Sequence, residues 1–328
     1  MFKTAAGYFF LQLSLTGLVI NLVSLIPLIR MRKRGDDQFV YLIAIITTLN
    51  AVISLFINCV YFAPTIIASD YIFADTVNAL GPMIMTNIVQ FSWYNGLFLT
   101  VLMAANRLVY LVLKKTEIFT KQRIIIFCVL AALLSLSKVL LNDLVIPCCI
   151  VYLDHEKFGY AIYNPKNETD WSGYIDSSIW IPVFVGTALC YIWIFITMRN
   201  STKEEIHETV DKHQQKMRTR ERSAAVQFAY ISLYYMITYA CLRLTPLIFG
   251  KDHLETNMIT PVVYALDGCA TGWVFMFVNE EVKNEIFKRI FKSNQVHSQE
   301  PIGNTVPNAN TAPVADNPEW MMYNQNFA

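Results

Sequence analysis

The sequence predicts an all-α membrane protein. Residues 1–292 form a seven-transmembrane helix bundle ending in a short amphipathic juxtamembrane helix, and residues 293–328 form a disordered cytoplasmic tail. Three observations predict it. Only 16% of the residues are charged and 55% are hydrophobic, where a soluble domain carries about a quarter charged. The charges are segregated, with long charge-free windows alternating with short strips of Lys and Arg. The last window is followed by a segment whose apolar residues share one helical face. A helix needs about 20 apolar residues to cross the hydrocarbon core. It is also the one open-chain structure that satisfies its own backbone there.

The first window, Tyr8–Ile29, is too long for a signal-peptide core. It ends in Arg30, Arg32, Lys33 and Arg34 rather than a small-residue cleavage site, so it reads as a span. Further spans follow at Val40–Tyr61, Leu80–Leu111, Ile124–Pro147, Ser177–Met198, Ala224–Phe249 and Met258–Val278. Gly81 and Pro82 blur the start of the third. Beyond Val278, the side chains of Val282, Ile286, Phe287, Ile290 and Phe291 line one face, with Lys and Glu opposite. That pattern suits a helix lying on the inner leaflet. From Ser293 the chain is rich in Asn, Pro, Gln and Ser, which predicts disorder. The tail has no Cys for palmitoylation. No internal repeat is visible.

The basic residues set the orientation. One set of loops holds the Arg30–Arg34 strip, Arg107, Lys114, Lys115, Lys121 and Arg123, then Arg199, Lys203, Lys212, Lys216, Arg218, Arg220 and Arg222, then Lys283, Lys288, Arg289 and Lys292. The alternate loops hold only Lys3, Lys157, Lys166 and Lys251. The positive-inside rule puts the N-terminus outside and the C-terminus in the cytoplasm. That result requires an odd number of spans. Asn167-Glu168-Thr169 is a glycosylation sequon on the outer side. Asn200-Ser201-Thr202 lies on the cytoplasmic side and should stay bare. The reading is a multi-pass protein of the plasma membrane with membrane lipid as its solvent and no nucleic-acid partner.

None of the seven Cys has metal-ligand spacing. Most sit in apolar windows, where Cys is a small packing residue. Cys148 and Cys149 end a span on the oxidising side. Cys59 is the only other Cys at that height. Free thiols are the expected state, with a Cys59–Cys148 or Cys59–Cys149 bridge as the alternative.

Four charges fall inside spans: Lys138, Asp143, Arg243 and Asp267. Such charges are paired or functional. At about 1.5 Å per residue, Arg243 is roughly 9 Å and Asp267 roughly 14 Å below the outer face. They read either as an ion pair between the sixth and seventh helices or as contacts in a ligand cavity. Lys138 is expected to snorkel outward or to pair with Asp143. On the third span, Trp93 and Tyr94 are candidate ligand contacts; packing is the alternative.

Arg107 closes the third span in Asn106-Arg107-Leu108. An Arg there can simply snorkel to headgroups. The triplet also resembles the D/E-R-Y motif of rhodopsin-like receptors at its Arg, while Asn106 replaces the acid. The seventh span keeps the N-P-x-x-Y spacing but not its letters, with Gly272 at the Pro, Phe275 at the Tyr, and Asn279 four residues on. The chain further resembles the nematode serpentine chemoreceptors of the Srx kind over roughly residues 5–292. The matching features are Asn106-Arg107, Pro147-Cys148-Cys149, the aromatics Tyr163, Trp171 and Tyr174, and Glu221 with Gln227. The resemblance implies a chemosensory receptor in a ciliated sensory neuron. It implies a small-molecule or peptide ligand and a heterotrimeric G protein that contacts Arg107. The basic strip Lys216, Arg218, Arg220 and Arg222 should flank that contact.

A transporter or channel is the alternative function, but those folds usually show repeats and broken, polar spans. An intramembrane metalloenzyme needs ligands at membrane depth. All five His residues, His155, His207, His213, His253 and His297, fall in loops or tail. No enzyme activity, metal or cofactor is expected, and the seventh span has no Lys for a retinal Schiff base.

Overall fold

The computed structural model describes residues 2–34, 38–72, 74, 76, 79–145, 150–156, 158–163, 171–205, 212–249 and 258–296. Within them, seven helices are long and apolar enough to cross a membrane: Lys3–Lys33, Tyr41–Ala68, Leu80–Leu113, Lys121–Asp143, Gly173–Asn200, Arg222–Leu242 and Ile259–Val278. Each contains most of one predicted window. They are called the first to seventh spans below. An eighth helix, Glu280–Val296, follows the seventh span directly.

Helical structure runs well past several windows. The sixth helix is Lys212–Phe249, 38 residues, or about 57 Å at 1.5 Å per residue. That is nearly twice the hydrocarbon thickness, so the basic strip expected in a loop is helical. The second span continues beyond Tyr61 through a π turn, Asn58–Phe62, into Ala63–Ala68. Pro64 follows that turn, and a proline has no N–H for the ladder and crowds the preceding turn. Widening the helix there relieves the crowding without ending it. The seventh span likewise passes from Ile259–Trp273 into a π turn, Val274–Val278.

The bundle inverts the usual amphipathic rule. Large aliphatic residues face outward, as Ile181, Val185, Leu189 and Ile192 do on the fifth span. Small polar residues such as Ser14, Asn21, Ser24 and Thr48 are fully buried. Lipid is as apolar as Leu, so helices associate through small residues and hydrogen bonds. The first and seventh spans show this. Asn21 Nδ2 donates to the carbonyls of Gly17 at 2.8 Å and Gly268 at 2.9 Å. Ser24 Oγ donates to the Gly272 carbonyl at 3.2 Å. A Cβ on Gly272 would stand 3.0 Å from the backbone nitrogen of Asn21, so glycine here permits a close approach.

A two-stranded antiparallel hairpin was not foreseen. Ile150–Asp154 pairs with Gly159–Tyr163, with Asp154 opposite Gly159. Leu153 and Phe158 are buried in one cluster with Phe10, Phe62, Val89 and Tyr264. The Leu153 N–H donates to Thr86 Oγ1 at 3.3 Å. Phe158 has φ 53°, a left-handed conformation that costs about 1–2 kcal/mol. Full burial of its ring, worth a comparable amount, holds it there. The hairpin thus caps one end of the bundle, called the hairpin end. At the other, juxtamembrane end, Leu28, Tyr41, Met103, Phe228, Phe275 and Val282 form a second cluster.

Tyr71 lies beside the hairpin, its ring 4.6 Å from that of His155 and edge-on to it. Burial, with Asp154 and Glu156 nearby, pushes the Tyr71 phenol up to about 12.

Candidate functional site

Two regions hold the candidate residues. The first is a cavity between the second, third, sixth and seventh spans, lined by Asn50, Ser54, Asn58, Ser92, Trp93, Tyr235, Tyr264, Asp267 and Thr271. Helical phase selects these residues. Asn50, Ser54 and Asn58 are spaced by four, as are Tyr264 and Gly268, so each helix offers one polar stripe. Asp267 is 5% exposed, and its Oδ1 accepts no hydrogen bond among the described residues. Among the described residues the amide nitrogens of Asn50 and Asn58 are also without acceptors, although Asn50 Oδ1 accepts from Asn95 Nδ2 at 3.1 Å.

Aromatic rings roof this cavity. The Trp93 ring lies 4.9 Å from Tyr264, 5.3 Å from Tyr235 and 5.2 Å from Trp180, each tilted. Tyr264 donates its hydroxyl proton to Ser54 Oγ at 3.3 Å. Tyr235 lies against Gly96, where any Cβ would overlap its hydroxyl. The cavity volume is about 20 Å³, the room that one water needs. In this arrangement it has room for one water or small ion, and an organic ligand needs the walls to part.

Trp93 and Tyr94 share Trp180 as a neighbour, with the Tyr94 ring 6.4 Å from it, but their polar surroundings differ. Successive helical positions differ by about 100°, so Tyr94 faces the fourth and fifth spans. There Lys138 Nζ pairs with Asp176 Oδ1 at 2.8 Å and donates to Asn142 Oδ1 at 2.7 Å. The Tyr94 hydroxyl donates to Asp176 Oδ1 at 2.7 Å, and Lys138 lies 5.0 Å above the Tyr94 ring. This corrects the expectation that Lys138 snorkels or pairs with Asp143. Lys138 is buried and bridges to the fifth span, while Asp143 accepts from Asn87 Nδ2 of the third. Sequence reasoning overlooked Asp176 because it was placed just before the fifth window.

The expected Arg243–Asp267 approach lies outside the described residues. Arg243 is on the sixth helix, but its side chain is not among those described. The same holds for the side chains of Lys216, Arg218 and Arg220. Their helix places 216 with 220 and 218 with 222 on two separate faces. Asn167, Cys148 and Cys149 also lie outside the described residues. Cys59 is a free thiol.

The second region is the juxtamembrane end. Arg107 is 2% exposed; its guanidinium lies 5.4 Å from the centre of the Phe228 ring. Phe228 in turn meets Phe275 edge-on, centroids 6.2 Å apart. Phe275, at the motif's Tyr position, contributes a ring edge where a hydroxyl would be. Asn279 stops the seventh helix in an extended conformation. Its Oδ1 accepts from the N–H groups of Glu281 at 3.0 Å and Val282 at 3.1 Å, an N-cap for the eighth helix. Tyr41 donates to Glu281 Oε2 at 2.6 Å.

Comparison with known proteins places these features in context. The family model described as "Serpentine type 7TM GPCR chemoreceptor Srx" matches residues 11–279. No curated protein matches the chain. Among solved structures, squid rhodopsin shares the fold with a TM-score of 0.67, over 92% of this chain and 88% of its own, at 12% sequence identity.

Proposed function

Because the chain belongs to the Srx family of serpentine seven-transmembrane chemoreceptors, we propose that it binds a small-molecule or peptide ligand toward the hairpin end and signals through Arg107 to a heterotrimeric G protein. The hairpin end is then the outer one, and the juxtamembrane end faces the cytoplasm. Trp93 and Asp267 are the proposed ligand-responsive residues of the cavity. Ligand binding that parts the sixth span from the third and seventh would both enlarge the cavity and uncover Arg107. The family further suggests the plasma membrane of a sensory cilium.

One observation carries this reading. Arg107, a fork of five donors, is buried at the end of the third span against the Phe228 ring of the sixth. Movement of that helix would expose donors suited to backbone carbonyls of a partner. The basic positions Lys216, Arg218, Arg220 and Arg222 are on the same sixth helix and would flank the partner.

The test is a ligand-panel screen in cells expressing the chain with a promiscuous G protein and a calcium readout. At least one ligand should raise calcium in wild type and fail to do so in Arg107→Ala at matched surface level. A ligand response of normal size in Arg107→Ala removes Arg107 from the coupling mechanism.

A further inference from the structure

We propose that Gln227 and Asn279 form an uncharged clasp that holds the sixth span over Arg107, which makes Gln227 a positioning residue for exposure of the arginine. The inference rests on the coupling role of Arg107 proposed above. Gln227 is 3% exposed. Its Oε1 accepts from Asn279 Nδ2 at 3.0 Å. Its Nε2 donates to Ser223 Oγ at 3.1 Å and to the Val278 carbonyl at 3.4 Å. One side chain therefore ties the sixth span to the last carbonyl of the seventh and to the residue that opens the eighth.

Asn279 is held rigidly enough to serve as the anchor. Its other amide atom caps two N–H groups of the eighth helix, so both ends of the Asn amide are engaged at once. Gln227 is followed immediately by Phe228, the residue that covers Arg107. Lifting Phe228 off the guanidinium carries Gln227 with it, because adjacent helical residues move as one rigid turn. The clasp must open for the arginine to be exposed.

The chemistry of the clasp fits the rest of this end. Asn106 stands beside Arg107 where an acid would supply a charged restraint, and Phe275 offers a ring in place of a hydroxyl. Neutral amide bonds and ring contacts fasten the sixth span at Gln227 and Phe228. Such bonds are individually modest, which leaves the clasp open to a ligand of modest differential affinity. It is also insensitive to protonation across the physiological range, since neither amide titrates.

The experiment uses the full-length receptor in phosphatidylcholine nanodiscs without ligand. Gln227→Leu removes the donor and acceptor at nearly constant size. Asn279→Ser keeps a capping oxygen but is too short to reach Gln227. Amide hydrogen exchange of residues 223–230 is read without any G protein, with residues 89–100 as the internal control. Basal nucleotide exchange by a purified heterotrimeric G protein is read separately. Each variant should speed amide exchange in 223–230 by roughly threefold to tenfold, the loss of one or two net hydrogen bonds. The control segment should be unchanged, and the double variant should exceed either single by little. Basal nucleotide exchange should rise alongside. Unchanged protection of 223–230, equal loosening of 89–100, or full additivity overturns the clasp. Faster amide exchange without nucleotide exchange supports the clasp and counts against the coupling role of Arg107.

Discussion

Lys138 shows how a charge at membrane depth chooses its partner. Asp143 is five positions on in the same segment, yet the ammonium reaches across to Asp176 on the neighbouring helix. The Lys138 side chain is 3% exposed and that of Asp176 22%, so the pair is asymmetric. Asp176→Ala takes the counter-charge from a deeply buried ammonium, leaving it the Asn142 oxygen and the Tyr94 ring, and should cost about 3 kcal/mol. Lys138→Ala strands a carboxylate that keeps some exposure and the Tyr94 hydroxyl, and should cost less. Lys138→Met with Asp176→Leu should recover most of either loss. Thermal unfolding of the purified variants orders them, and a Lys138→Ala variant less stable than Asp176→Ala contradicts this account. The candidates Trp93 and Tyr94 were legible as aromatics, but their separate polar partners were not. Only the placement of the fifth span shows that one faces the cavity and the other an ion pair.

At the scale of helices, glycine separates contact from lipid. A Cβ on Gly272 meets Ile20 Cγ2 at 2.9 Å and the Asn21 nitrogen at 3.0 Å. Backbone cannot yield as a flexible side chain can, so Gly272→Val should part the first and seventh spans at a cost of about 1–3 kcal/mol. The measurement is the fraction of receptor surviving detergent extraction at rising temperature. Gly186, on the fifth span, has nothing within 4 Å of its Cβ position. Gly186→Ala should be neutral or stabilise by about 0.5–1 kcal/mol through helix propensity. Equal damage from both would mean that the first–seventh contact is not the constraint. The seven windows were readable because each must be apolar for about 20 residues. Their true ends were not, because helices continue into water wherever the flanking residues tolerate it. The sixth does so through Lys212–Glu221.

For the molecule as a whole, sidedness is the first thing to measure. The N-terminus should lie outside, the C-terminus in the cytoplasm and a sugar on Asn167 alone. An epitope tag at the C-terminus should be reached by antibody only after permeabilisation. Glycosidase should shift the wild-type band but not Asn167→Gln. A C-terminal tag that is accessible on intact cells would sink this orientation. In that orientation the hairpin lies on the outer side, where Phe158 and Leu153 pack in one cluster with residues of the first, second, third and seventh spans.

The sequence by itself determined the number of spans, the family resemblance, the amphipathic eighth helix and two of the membrane-depth charges that the structure describes, Lys138 and Asp267, but not Asp176. The spans, the eighth helix and the charges follow from local composition, because lipid imposes the same requirement on every segment independently of its neighbours, while the resemblance rests on short motifs such as Asn106-Arg107. Tertiary structure decided the partners. It sent Lys138 to Asp176, gave Trp93 and Tyr94 different polar surroundings, laid Phe228 over Arg107 and joined Gln227 to Asn279. None of these pairings is local. A hydrogen bond or ion pair between helices depends on helical phase, tilt and depth together, and an apolar window of about 20 residues leaves all three free.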